Sequence, residues 1–151
     1  MSTNKKLFIL LLTIFLISAV SFGAYFLINY YTARDIKQNS QDFVSKWGNF
    51  KDEASIEYRN SFKPMVSDAI FNDYANNSAE LIAARGDTPP STSTFTNIEV
   101  TEVKKDKKIY YVTATGERKY SFSDQPIKQT VHLKWEKVDG NYLITDVYTD
   151  G

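Results

Sequence analysis

Residues 127–148 read Ile-Lys-Gln-Thr-Val-His-Leu-Lys-Trp-Glu-Lys-Val-Asp-Gly-Asn-Tyr-Leu-Ile-Thr-Asp-Val-Tyr, and this stretch decides the fold. From Ile127 to Glu136 the side chains alternate. Ile127, Val131, Leu133 and Trp135 point one way; Lys128, Thr130, His132, Lys134 and Glu136 point the other. A period of two with one apolar side is the mark of a half-buried strand. Val138-Asp139-Gly140-Asn141 then centres on Asp-Gly, the signature of a two-residue hairpin turn. A last strand is expected from Tyr142 to Tyr148.

Moving upstream, two more segments read as strand. Phe95–Val103 is rich in Thr and Val. Ile109–Phe122 places Tyr110, Val112, Ala114, Tyr120 and Phe122 on one face. Between them lies Lys104-Lys105-Asp106-Lys107-Lys108, a solvated hairpin tip in its plain reading and a contact for anionic lipid or a partner in its sharper one. Short turns throughout imply an antiparallel meander.

The half before the strands is helical. Ile36, Phe43, Trp47 and Phe50 keep a helical period, and Gly48-Asn49 is the expected stop. A second helix is expected from about Asp52 to Phe62, broken by Pro64. Ser67 caps a third, which runs through Ile70, Phe71, Tyr74, Leu81 and Ile82 to Arg85 and stops at Gly86. Residues 86–94, GDTPPSTST, form a loop, either a plain surface connection or a lid or partner-binding segment. Helices followed by strands give an α+β fold: an N-terminal transmembrane helix, then about three helices packed on a curved four-stranded antiparallel sheet.

The transmembrane helix is read from Leu7–Ile28, a run without a charge. At roughly 1.5 Å per residue it spans a hydrocarbon core of about 30 Å. A cleaved signal peptide is the competing reading, but the apolar run continues past its small residues through Tyr25, Phe26, Leu27 and Ile28. Tyr30 and Tyr31 fall where an interfacial aromatic belt belongs. Lys5 and Lys6 lie before the segment; Arg34 and Lys37, diluted by Asp35, lie after it. The positive-inside bias then sets a cytoplasmic leader at 1–6, an anchor in the bilayer at 7–30 and an exported domain at 31–151.

Composition narrows the chemistry. All 18 acidic residues and all but two of the 18 basic ones follow the anchor, leaving a formal charge of −2 on the exported part. That opposes a nucleic-acid partner, which calls for a basic excess. With no Cys there is no disulfide, thiol nucleophile or cysteine lipid anchor. One His and scattered acids make no metal-ligand cluster, so neither metal nor cofactor is expected. The single histidine, His132, falls on the polar strand face. Asp146 shares strand parity with Tyr142, Ile144 and Tyr148. It is therefore either a carboxyl in apolar surroundings, able to act as a base, or a structural partner of a neighbouring cation. Asn76-Asn77-Ser78 matches a glycosylation acceptor but falls inside the third helix.

Three helices, a loop and a four-stranded sheet closed by Leu133–Val147 resemble the nuclear transport factor 2-like, or cystatin-like, superfamily. There a strand ends in a Gly turn, and the next opens with an aromatic residue and a hydrophobic pair, as in Gly140-Asn141-Tyr142-Leu143-Ile144. With its anchor, the chain is similar to the bitopic assembly components of type IV secretion and conjugation machines, and to the membrane-anchored proteins associated with mycobacterial-type lipid importers. The resemblance implies a non-enzymatic interaction module with envelope proteins as partners, possible self-association included. The alternative it leaves open is a small-ligand-binding or catalytic cone built on an acid such as Asp146.

Overall fold

The structure, a computed structural model, describes residues 3–150, with side chains from Ile9 onward. The side chains of Lys5 and Lys6 lie outside the described residues. The chain divides into two compact units, one ending at Asp35 and the other beginning at Ile36.

The described residues of the first unit are helical and belong to α1, Thr3–Gly48. Its large apolar side chains from Ile9 to Tyr31 are exposed. From Ile9 on, α1 is long and apolar enough to cross a membrane. The helix does not pause at position 31, where the domain boundary is expected.

The second unit opens with the rest of α1. There Ile36, Ser40, Phe43, Val44 and Trp47 are buried, a stripe at helical spacing. Gly48 ends the helix where expected, and a Cβ at that position would overlap the Phe95 ring at Cδ1. Helix α2, Ile56–Phe62, is shorter than its sequence pattern: Ser55 Oγ caps it by accepting from Tyr58 N, so the chain from Asp52 to Ser55 is a turn. A 3-10 turn at Lys63–Met65 follows, holding Pro64. Helix α3, Asp68–Arg85, has the expected Ser67 cap and Gly86 stop, with Gly86 at φ 57.

Strands β1 (Ser93–Asp106), β2 (Ile109–Tyr120), β3 (Ile127–Val138) and β4 (Asn141–Asp150) form one antiparallel sheet in sequence order. The α+β meander is thus as expected. Both tight hairpins are two-residue turns. Asp139 and Gly140 stand at φ 48 and 89 between Val138 and Asn141, the positive pair a primed turn requires. Lys107, at φ 53, turns the β1–β2 hairpin, so the lysine cluster is a hairpin tip.

Two details differ from the sequence pattern. Strand β2 stops at Tyr120, and Phe122 is not on its inner face: it is 77% exposed and stacks on Tyr120. In β4 a bulge sits opposite Lys134–Trp135. Ile144 pairs with Trp135, but Asp146 pairs with Lys134. The extra residue, Thr145, reverses the parity of all that follows.

The core lies between the helices and the inner sheet face. Tyr110, Val112, Ala114, Val131, Leu133, Trp135 and Ile144 meet Phe43, Val44, Phe62 and Val66. Backbone links join the helical segment to both outer strands. Phe50 bridges Ser93 of β1, and Ser67 N donates to Ile144 O of β4 at 2.9 Å. The Asn49 side chain extends the first link: it accepts from Phe95 N and donates to Phe95 O.

Candidate functional site

Inner-face positions along β2 read Tyr110, Val112, Ala114, Gly116, Arg118. Those along β3 read Gln129, Val131, Leu133, Trp135. At the Trp135 end the interior is packed with apolar rings. At the Arg118 end it turns polar and opens.

Arg118 is 5% exposed. Its Nε donates to Ser93 Oγ at 2.9 Å and its Nη1 to Gln129 Oε1 at 3.2 Å. Its guanidinium carbon lies 4.5 Å from the Trp47 ring centre, 4.8 Å from Tyr120, 5.6 Å from Phe50 and 5.9 Å from Phe95. Aromatic faces stabilise a desolvated guanidinium by about 0.5–2 kcal/mol each, and this cage is why a cation is tolerated there. Phe95 reaches the cage through two glycines: a Cβ at Gly116 would lie 2.5 Å from its ring, and one at Gly48 closer still.

A cavity of about 270 Å³ adjoins this cage, lined by Trp47, Phe50, Tyr58, Tyr74, Leu81 and Tyr120, with Arg118, Glu53, Asn77 and Ser78 as its polar members. Trp47 Nε1 donates to Tyr74 Oη, and Tyr58 Oη donates to the Trp47 carbonyl. Burial pushes both tyrosine hydroxyls up in pKa, so both remain protonated donors at neutral pH. Tyr58 spends its proton on Trp47. Tyr74 receives a hydrogen bond and keeps its own proton available. Ser78 Oγ donates to the Tyr74 carbonyl one turn earlier.

The acids and bases singled out from sequence are elsewhere. His132 is on the outer sheet face, as its alternation predicts. There its Nδ1 is 3.3 Å from Thr113 Oγ1, its Nε2 is 2.8 Å from Asp150 Oδ2, and its ring stacks on Tyr148. Asp146 contradicts its expected parity. The bulge at Thr145 carries it to the outer face, exposed and opposite Lys134, so it is not the acid of an interior cone. The two residues share the outer face, and neither lines the cavity. Among the described residues no three His, Cys, Asp or Glu gather as a metal site would need. Of Asn76-Asn77-Ser78, placed inside α3 as expected, Asn77 and Ser78 line the cavity instead.

Sequence reasoning placed Trp47, Tyr74, Leu81 and Tyr120 in their elements without reading a cavity among them, and it passed over Arg118. A signal existed: Arg118 has the same strand parity as Tyr110, Val112 and Ala114.

No family model matches the chain, and no curated protein matches it. Solved structures do. The intermembrane-space region of the chloroplast protein ARC6 superposes with a TM-score of 0.54 at 17% identity, covering 75% of this chain and 95% of that one. TraH from the Gram-positive conjugative plasmid pIP501 gives 0.53 at 13% identity, over 76% of this chain and 91% of its own. The Ntf2-like protein TraM from the same plasmid gives 0.51 at 16% identity, over 76% and 92%. Identities this low speak to fold alone.

Proposed function

Starting from a nuclear transport factor 2-like domain that follows a long apolar helix, we propose that this chain is a single-pass membrane-anchored interaction module. It presents the domain outside the cytoplasm to other proteins of a cell-envelope assembly, with a second copy of itself among the possible partners. The observation that carries this reading is the surface of the first unit: Ile9 to Tyr31 expose Leu, Ile, Phe and Val on all sides. Water is a poor solvent for such a surface, and a bilayer is a good one. Lys5 and Lys6 set the leader on the cytoplasmic side and the domain outside.

TraH and TraM belong to a conjugative plasmid, which supports placing this chain in a transfer or secretion assembly. The domain acts by contact rather than catalysis: His132 and Asp146 stand on the outer face, and neither lines the cavity beside Arg118. The test combines two measurements on cells. Alkaline carbonate should leave the chain in the membrane pellet, and a membrane-impermeant cross-linker applied to intact spheroplasts should shift it to heavier adducts. Release by carbonate contradicts the anchor. A chain that stays in the membrane yet never forms an adduct contradicts the interaction role.

A further inference from the structure

We infer that the cavity beside Arg118 is a binding site for a single carboxylate carried on a small apolar group. The inference concerns the second unit alone and stands whether or not the anchor reading holds.

The first ground is an incomplete set of partners around a buried cation. A guanidinium has five N–H donors in one plane. Ser93 and Gln129 take one from Nε and one from Nη1, and the Nη2 amino group, with no acceptor among the described residues, stays open to solvent. Both acceptors are neutral, and no carboxylate of a described residue lies within ion-pair distance of Arg118. The four rings attract the cation through their π clouds but offer no lone pair to its N–H bonds. A guanidinium whose open edge has no counter-charge favours an anion at that edge, where a charge-assisted hydrogen bond replaces one to water.

The second ground is the wall. Tyr74 O–H and the Asn77 amide add donors on the α3 side, facing the same space as Arg118. The remaining lining is aromatic or aliphatic. One cation, a planar fork and a few neutral donors suit one planar oxyanion. Glu53 on the same wall opposes a dianion such as phosphate. The volume of about 270 Å³ with its aromatic and aliphatic lining accommodates a small apolar body beside the carboxylate. A free organic acid and the terminal carboxylate of a partner chain share this chemistry.

The test uses the full chain in detergent micelles and follows Trp fluorescence, because Trp47 both stacks on Arg118 and lines the cavity. The probes are benzoate and N-acetylphenylalanine, each against its neutral amide. We expect a saturable signal with at least one acid, tenfold or more tighter than with its amide. Benzoate and N-acetylphenylalanine binding alike would identify a free acid, and N-acetylphenylalanine binding alone a chain terminus. Arg118→Gln should bring the acid down to the level of the amide. Glu53→Gln, which leaves the cage intact, should tighten the acid severalfold and carries the test if Arg118→Gln does not fold. No saturation with either acid, equal binding of acids and amides, or an unchanged acid affinity in Glu53→Gln would overturn the inference.

Discussion

The Trp135 indole Nε1 donates to Ser40 Oγ at 2.9 Å, joining β3 to α1 across 95 positions of sequence. Both residues are buried, so the bond gives a large apolar ring its one polar partner and fixes the helix over the sheet. Trp135→Ala should cost about 3–5 kcal/mol, as a large-to-small core change. Ser40→Ala should cost about 1–3 kcal/mol, since it leaves the indole N–H unpaired. His132→Ala, on the outer face, should cost less than about 1 kcal/mol. Denaturant melts of the full chain in micelles, followed by far-UV circular dichroism, give the order.

Phe95 lies against Gly48 and Gly116 at distances no Cβ could share. Gly116→Ala should destabilise by about 1–3 kcal/mol through overpacking, although alanine is compatible with a strand. Combining it with Phe95→Leu should cost less than the sum of the two single changes, and a double-mutant cycle reads that coupling. Full additivity would contradict the close approach.

Asp146→Asn should be nearly neutral, within about 0.5 kcal/mol, because an exposed carboxylate across from a lysine contributes little. Of its two readings from sequence, the place in apolar surroundings would instead have produced a marked change on neutralisation. The same melts separate the two cases.

The Asp52 carboxyl is held below its ordinary pKa. Partial burial works upward, but the Ala54 backbone N–H and the Arg85 guanidinium outweigh it. A depressed folded-state pKa stabilises above the unfolded value of about 3.9 and loses that contribution as pH falls through the folded value. Asp52→Asn should therefore weaken the fold at neutral pH and differ less from the parent near about pH 3. An equal deficit at both pH values would mean that the ion pair with Arg85 is not its source.

The regular parts of the chain were legible. The alternation of β3, the Asp-Gly turn, the Ser67 cap and the Gly48 and Gly86 stops are local signals, and each holds in the structure. What escaped was set by tertiary context. Thr145 carries no glycine or proline to announce a bulge, yet that one residue moves Asp146 to the opposite face. Phe122 extends the apolar parity of β2, but the chain turns at Ser121–Ser123 and leaves its ring outside. Arg118 and Gln129 interrupt an apolar face, so hydrophobic patterning passes over them. Only their parity, and the rings gathered by α1, α2 and β1, reveal a polar end to the core.

Placement of the domain across a membrane is the central claim, and the absence of cysteine makes it directly measurable. Single cysteines would be introduced as Asn4→Cys in the leader and Gln125→Cys, an exposed position in the β2–β3 connection. Intact cells would then be treated with a membrane-impermeant maleimide. Labelling of Gln125→Cys in intact cells, with Asn4→Cys labelled only after permeabilisation, is the predicted result. The reverse pattern, or labelling of neither before permeabilisation, would contradict an extracytoplasmic domain.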